Sequence, residues 1–408
     1  MKFRKQIAIA SAACMLLAGA ASPAFALTVS AEETQQHPTS GTYKNITWSF
    51  DEASKTLTVS GTGDTGSYYN TVSLLSADGC PWGAFCNDIE KIVVSEGITK
   101  IGIGLFAFHY YVKSVQLPES LTAISDSAFA ECCCLSEINI PESVTEFGAA
   151  AFYDTAWLNI RHSQKQMTGS DFDCFIAENG VLIDGTLYGS YRRAPGNPAD
   201  ALSSGKLKAI GGGAFQGAEY IGDVEVPDSS GIDRIGDWAF ERSSITSLTL
   251  SKNITSIGVD ICYCCPDLEK VTIENPLLEI PASATTFCNT ITGDKLFSGT
   301  ICGYTDSTAQ AYAVKNGYKF ESIGDALPVM QGDFDCDEKV TLEDAQGVLK
   351  YYTETISGKE PLIAGTQKKC ADVNSDGKAD VMDAQYILKY YTENEVAKKN
   401  TAWEEILK

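Results

Sequence analysis

The chain has 408 residues, with 31 Lys and Arg against 53 Asp and Glu, so its formal net charge is −22. That length allows two or three domains and a well-buried core. Because no Lys/Arg cluster occurs beyond the extreme N-terminus, the acidic balance excludes nucleic acid and an anionic membrane surface as expected partners.

The N-terminal residues are predicted to be a secretion signal. Three basic residues among the first five precede an apolar run at residues 7–17, which is too short to span a bilayer. An A-x-A site ends at Ala26, and cleavage after Ala31 is the alternative. We expect residues 1–26 to be removed and the protein to be secreted without a lipid anchor or a membrane-inserted segment.

The number and spacing of the cysteines do not indicate a disulfide framework. Removing Cys14 leaves an odd number, 13, and three of these are consecutive at residues 132–134. Free, mostly buried thiols are the prediction. A metal cluster is the alternative interpretation for the close group Cys262, Cys264 and Cys265, although no histidine stands near them.

Internal repetition organises residues 91–324. Similar segments begin at Ile92, Val115 and Ile138, each 23 residues after the last, and the pattern returns in the second half of the region. Each unit has an apolar-x-apolar strand, a turn and an inward-facing pair such as Ala128-Phe129. Because one unit cannot bury this apolar side alone, the repeats are predicted to stack into a solenoid.

These repeats resemble the BspA-type leucine-rich repeats of bacterial surface and secreted proteins. The resemblance implies a mainly β solenoid of short strands with few short helices. It also implies a β segment at residues 27–90, a hairpin insertion at about 155–206 and a strand–helix–strand cap at 300–324. The repeat cysteines at 132–134 and 264–265 are expected to be core thiols. The family is associated with adhesion and protein–protein contact, so we expect an unidentified protein or surface ligand. The exposed middle residues of the strands are predicted to be Val93, Gln116, Asn139, Glu225, Thr249 and Thr272.

After a short linker at residues 325–331, the chain carries a duplicated segment. The copies begin at Asp333 and Asp372, offset by 39 residues. Each opens with a loop of the twelve-residue EF-hand type, in which alternate positions supply the hard oxygen ligands that Ca²⁺ requires. The first loop is expected to bind through Asp333, Asp335, Asp337, the carbonyl of Lys339, Thr341 through water, and Asp344. The second is expected to bind through Asp372, Asn374, Asp376, the carbonyl of Lys378, Asp380 and Asp383.

The two loops differ at their sixth position, where the chain turns sharply. The second loop has Gly377 there, but the first has Glu338. We therefore expect weaker calcium binding by the first loop. Cys336 and Cys370 are the cysteines of this region and form a candidate disulfide.

The repeated loop–helix pair lacks the incoming helix of an EF-hand and closely resembles a type I dockerin, a small all-α calcium-binding domain, at residues 332–395, followed by a tail at 396–408. The resemblance implies two bound Ca²⁺ ions and docking to a cohesin module of a scaffoldin in a cellulosome-type complex. Its expected cohesin contacts in the first copy are Leu342, Glu343, Leu349, Lys350 and Glu354. In the second copy they are Val381, Met382, Leu388, Lys389 and Glu393.

The predicted function is therefore a secreted, non-catalytic subunit of a polysaccharide-degrading complex. The alternative is a dockerin-bearing glycoside hydrolase or esterase. Against that alternative, the repeats occupy most of the chain, and the three histidines, His37, His109 and His162, stand in no hydrolase motif. Only residues 155–206 are long enough to contain an unrecognised catalytic site.

Overall fold

The computed structural model describes residues 37–68, 80–167, 176–184, 202, 205–219, 221–290, 296–359 and 361–408. The predicted signal and both candidate cleavage sites lie outside these residues, as do parts of the predicted insertion. Residues Thr39–Lys408 belong to one compact unit.

The first half of the repeat array forms two sheets whose strands alternate along the chain. Strands β3, β5, β7 and β9 pair in parallel, and β1 and β2 extend their sheet as antiparallel strands. A second sheet has the order β10-β8-β6-β4, so each repeat contributes one strand to each sheet. The strands are β1 (Ser40–Tyr43), β2 (Ile46–Asp51), β3 (Thr56–Gly61), β4 (Gly63–Asp64), β5 (Lys91–Val94), β6 (Ile98–Ile101), β7 (Ser114–Gln116), β8 (Ala123–Ile124), β9 (Glu137–Asn139) and β10 (Glu146–Phe147).

The second half repeats this arrangement with sheets of order β11-β12-β13-β15-β17 and β14-β16-β18-β19-β20. The strands are β11 (Ile176–Glu178), β12 (Val181–Asp184), β13 (Ala209–Ile210), β14 (Gly222–Val226), β15 (Arg234–Ile235), β16 (Ile245–Leu250), β17 (Ser256–Ile257), β18 (Lys270–Ile273), β19 (Thr300–Tyr304) and β20 (Lys319–Gly324). The β solenoid expected from the repeats is confirmed. Neighbouring strand middles also pair in the expected register, as in Val93 with Gln116 and Thr249 with Thr272.

Six α-helices occur in the described residues, four of them after the array. They are α1 (Ala156–Met167), α2 (Thr308–Asn316), α3 (Leu342–Ile356), α4 (Gly365–Ala371), α5 (Val381–Tyr391) and α6 (Trp403–Ile406). Helix α2 lies between β19 and β20 and gives the cap its strand–helix–strand order. None of the helices in these described ranges combines the length and the hydropathy that a bilayer crossing requires.

Stacked phenylalanine rings form the spine of the solenoid core. The Phe at the Ala-Phe position of each repeat, which is preceded by Leu rather than Ala in the first repeat, lies over the Phe of the next. The ring centroids are 5.4 Å apart for Phe106 and Phe129 and 5.6 Å apart for Phe129 and Phe152. The second half has the same contact between Phe215 and Phe240, at 5.1 Å. Since these rings are fully buried, each repeat completes the core of its neighbour.

The predicted hairpin insertion is partly built into the solenoid rather than set outside it. Strands β11 and β12 form an antiparallel hairpin, but β12 also pairs in parallel with β13. The two halves are then joined by backbone hydrogen bonding, since the Gly212 N–H donates to the Phe147 carbonyl at 2.9 Å. Backbone pairing therefore continues past the interruption in the repeat pattern, while the buried apolar residues form two clusters that divide at β12.

His109 is a structural residue in the first repeat. It is fully buried, its Nε2 accepts a hydrogen bond from Trp82 Nε1 at 2.8 Å, and its Nδ1 lies 2.9 Å from the Phe106 carbonyl. Burial lowers the pKa of His109 to about 4, so the ring is neutral near pH 7. These contacts explain its presence without any catalytic role.

The structure corrects part of the cysteine prediction. Cys132 and Cys265 are buried, as expected, but Cys133 and Cys134 are exposed and Cys264 is half-buried. Cys133 and Cys134 are exposed because, in a run of three cysteines at a turn, only one side chain can point into the core. Among the described residues, the groups with ligand atoms placed for a metal ion do not include Cys262, Cys264 and Cys265.

Replacing the central ring of the stack should strongly destabilise the solenoid. Phe129→Ala removes a fully buried side chain between two rings and is expected to lower the free energy of unfolding by about 3–5 kcal/mol. Chemical denaturation followed by circular dichroism measures this change. Tyr111→Ala, at a ring that is 53% exposed, is the control and should cost less than about 1 kcal/mol. Equal effects of the two variants would contradict the stacked-ring core.

Candidate metal centre and docking face

The first duplicated loop is wound around the side chain of Asp333. Asp333 Oδ1 accepts a hydrogen bond from the Asp337 N–H at 3.0 Å, and Asp333 Oδ2 accepts one from the Glu338 N–H at 3.0 Å. Carboxylate oxygens of Asp333, Asp335 and Asp337 all lie within 4.8 Å of one another. Sequence reasoning named these three acids, and the structure brings them together.

The second loop has the same hydrogen-bond pattern 39 residues later. Asp372 Oδ1 accepts from the Asp376 N–H at 3.0 Å, and its Oδ2 accepts from the Gly377 N–H at 2.9 Å. Asn374 Oδ1 accepts from the same Asp376 N–H at 2.8 Å. The side-chain oxygens of both loops are thus gathered at equivalent positions by the backbone of the loop itself.

The last acidic residue of each loop lies at the start of the following helix. Asp344 is fully buried, and its two oxygens accept from the N–H groups of Phe334, at 2.6 Å, and Thr341, at 2.7 Å. Asp383 is buried in the same way and accepts from Val373 and Asp380. Because each side chain reaches back across its loop, the loop conformation and the position of α3 or α5 are coupled.

Thr341 and Asp380 are the N-cap residues of α3 and α5. Asp380 Oδ1 accepts from the Met382 N–H at 2.8 Å, and Thr341 Oγ1 donates to Asp344 Oδ2 at 3.2 Å. A side chain at an N-cap stabilises the first turn of the helix. Both residues therefore have a structural role besides the one predicted at the ninth loop position.

The donor set fits Ca²⁺ well. Hard carboxylate oxygens from alternate positions of a tight loop, with a buried carboxylate closing it, are the ligands that this ion prefers. Burial, together with the charges of Asp344 and Asp337, raises the pKa of Asp335 to about 6, and burial also raises the pKa of Asp333. These pKa shifts reflect first the partial burial of the two carboxylates and then the repulsion between neighbouring acids, which a divalent cation would relieve.

The two loops carry different backbone strain at the sixth position. Gly377 has φ +87°, which glycine adopts without penalty, whereas Glu338 has φ +69°, in the left-handed region that is costly for a residue with a Cβ. The two loops therefore share a left-handed backbone conformation at this position, and the sequence difference corresponds to a difference in its energetic cost. Cys336, two residues earlier, is a free thiol that hydrogen-bonds to Cys370, which raises the pKa of Cys336.

Helices α3 and α5 pack against each other around a small core of their own. Each turns apolar side chains outward from the end of its loop: Leu342 and Leu349 on α3, and Val381, Met382 and Leu388 on α5 are all exposed. The other expected contacts have partners within the chain or line a cleft. Glu343, Lys350 and Glu354 line a cleft against the last solenoid turn. Lys389 and Glu393 form hydrogen bonds with the C-terminal segment.

That C-terminal segment, predicted as a tail beyond the module, instead packs on it. Trp403 stacks on Tyr390 with ring centroids 4.2 Å apart, and Ile406 is fully buried. Trp403, Ile406 and Leu407 have the spacing of one helical face, which is the sequence signal that could have identified this contact.

Comparison with known families assigns both parts of the chain. A family model for the BspA type leucine rich repeat region matches six copies over residues 83–179 and 201–299, and one for the dockerin type I domain matches residues 331–391. Both resemblances seen in the sequence are confirmed. No curated protein matches the sequence.

Solved structures similar to this chain include bacterial leucine-rich repeat proteins. One from Eubacterium ventriosum is 16% identical, with a TM-score of 0.27 over 69% of this chain and 83% of that one. One from Bacteroides ovatus is 15% identical, with a TM-score of 0.26 over 71% and 79%. The leucine-rich repeat protein of T. pallidum is 14% identical, with a TM-score of 0.23 over 70% and 99%.

Relieving the strain at Glu338 should tighten calcium binding by the first loop. Glu338→Gly removes a left-handed penalty of about 1 kcal/mol, so we expect roughly five-fold tighter binding at that site, measured by calorimetric titration. Glu338→Gln removes the charge but keeps the Cβ and is the matched control. If Gly and Gln variants bind calcium equally, backbone strain does not weaken the first loop.

Proposed function

The chain is a BspA-type leucine-rich-repeat protein with a C-terminal type I dockerin domain, and from this premise we propose that it is a secreted, non-catalytic subunit of a cellulosome-type complex. Its dockerin binds two Ca²⁺ ions and docks to a cohesin module of a scaffoldin. The repeat array is then carried into the complex as a protein-interaction or adhesion surface.

The pair of equivalent loops supports calcium binding most directly. In each, one aspartate accepts from the same two backbone N–H groups, four and five residues on, and a buried aspartate joins the loop to the next helix. An accidental acidic turn would not reproduce this network twice at an offset of 39 residues. The two sites are Asp333 to Asp344 and Asp372 to Asp383.

A non-catalytic role is supported by the buried and surface residues of the repeats. Leucine-rich repeats and dockerins are both non-catalytic modules, and the buried positions of the array are filled by stacked apolar side chains. His109 is satisfied within the core. The strand middles, which include the exposed Gln116 and Asn139 and the half-buried Thr249, form a mostly uncharged surface suited to protein contact rather than to acid–base chemistry.

Docking should depend on calcium through the loops. Binding at 100 times the dissociation constant stabilises a fold by about 2.7 kcal/mol per site, comparable to the stability of a core this small. Asp333→Ala combined with Asp372→Ala is therefore expected to abolish binding to type I cohesin modules, as EDTA should for the wild type. Calorimetry measures the binding, and circular dichroism checks that the solenoid is intact.

The charge-matched control is Asp88→Ala with Asp267→Ala, since both residues are exposed acids of the solenoid. This control should bind cohesin with unchanged affinity. Undiminished cohesin binding by the loop double variant would rule out calcium-dependent docking.

A further inference from the structure

The short helix α4, between the two copies of the duplicated segment, contacts both loops. Gln367 Nε2 donates to the carbonyl of Phe334 in the first loop at 3.3 Å. The Cys370 carbonyl accepts from the N–H of Gly332, immediately before that loop, at 2.8 Å. The helix then runs directly into the second loop, because its C-cap is Asp372, the first expected ligand there. The position of α4 is therefore tied to the conformation of both loops.

The beginning of α4 lies against the cap of the solenoid. Lys369 Nζ lies 2.5 Å from Asp306 Oδ2 in the turn between β19 and α2, and the Thr366 N–H donates to the Asp306 carbonyl at 3.4 Å. The helix starts at Gly365, where a Cβ would lie 2.9 Å from Asp306 Oδ1, so only glycine fits there without a shift of the Asp306 side chain. We call the contacts of Gly365, Thr366 and Lys369 with Asp306 the α4 joint.

Apolar burial accompanies the α4 joint. Leu362 packs against the solenoid core, whereas its neighbour Ile363 packs against the dockerin core. Thr366 is buried, but the side chain of Lys369 is 57% exposed. Because an ion pair this exposed contributes little alone, the burial of Leu362 and Thr366 supplies most of the attachment. The segment that holds the dockerin on the cap is thus the same segment that touches both loops.

The Thr366 N–H provides a direct signal of the α4 joint. Thr366 lies in the first turn of α4, where the N–H groups of an α-helix have no partner within the helix. Its N–H donates to the Asp306 carbonyl of the cap instead. Protection of this amide from hydrogen exchange therefore reports contact with the solenoid rather than formation of the helix.

We propose that α4 couples calcium binding to the position of the dockerin on the solenoid. Calcium in the two loops holds α4 in place, and α4 then fixes the dockerin on the cap through the α4 joint. Loss of calcium opens the joint, so that the repeat array can change its orientation relative to the dockerin. This proposal rests on the calcium binding of the proposed function and adds a calcium-dependent change in how the repeat surface is presented. Because coupling between two sites is reciprocal, opening the joint must also weaken calcium binding.

The test changes one of two neighbouring lysines in the full-length protein and measures the calcium affinity by calorimetric titration. Lys369→Glu places a carboxylate against Asp306 and is expected to lower the affinity by about five-fold, the lower end of typical coupling effects. Lys368→Glu makes the same charge change at an exposed position outside the α4 joint and should change the affinity by less than about two-fold. An added carboxylate by itself attracts the cation, so attraction to the new charge would not explain a loss of affinity.

A charge swap distinguishes an opened joint from a damaged helix. Asp306→Lys combined with Lys369→Glu rebuilds the ion pair with reversed signs and should restore the calcium affinity. Amide exchange in calcium should leave Thr366 protected in the wild type, in Lys368→Glu and in the swap, but not in Lys369→Glu. In EDTA the wild-type Thr366 amide should lose its protection. Circular dichroism in calcium verifies that all variants fold.

Three results would overturn the coupling while leaving calcium binding in place. They are equal calcium affinities of Lys369→Glu and Lys368→Glu, a loss that the charge swap does not restore, and a wild-type Thr366 amide that stays protected in EDTA. A wild-type protein that binds no calcium would overturn the proposed function and this proposal with it. The wild-type titration distinguishes the two failures, because it shows binding in the first case and none in the second.

Discussion

Each duplicated loop gathers several carboxylates around one point, and the helix that follows is held by the same side chains. Like charges this close repel one another unless a cation lies between them. Asp344 and Asp383 link each loop to the helix that follows it. They lie in the first turns of α3 and α5, and their buried carboxylates accept hydrogen bonds from the loop backbone. The exposed apolar patches at the helix starts therefore keep their geometry only while the loops do.

The solenoid is held together by a different constraint, the burial of rings that no single repeat can cover. Stacked Phe residues and parallel strand pairing make each turn depend on its neighbours, and they leave the strand middles exposed or half-buried in a regular row. The two parts differ in what stabilises them: apolar contact between repeats in one and, under the proposed function, calcium binding in the other. The Asp306–Lys369 contact joins these parts and gives the dockerin a defined position on the cap.

Periodic features of the sequence were predictable, and features set by tertiary packing were not. The 23-residue period predicted the solenoid, and the 39-residue offset predicted two equivalent loops, because each pattern repeats a local physical requirement. The exposure of Cys133 and Cys134 depends on which side chain of a turn points inward, which the run of cysteines does not encode. The helical spacing of Trp403, Ile406 and Leu407 indicates an apolar face but not that this face packs on Tyr390. The cleft against residues 277–281 depends on contacts between distant segments and did not follow from any local pattern.

Amide hydrogen exchange of the full-length protein, in calcium and in EDTA, tests the central claim most directly. If the loops need a cation to hold their carboxylates together, chelation should remove protection from α3 and α5 while β7, β9 and β16 of the solenoid keep theirs. Helices α3 and α5 that remain equally protected in EDTA would contradict the account, because the dockerin would then be stable without any ion in its loops.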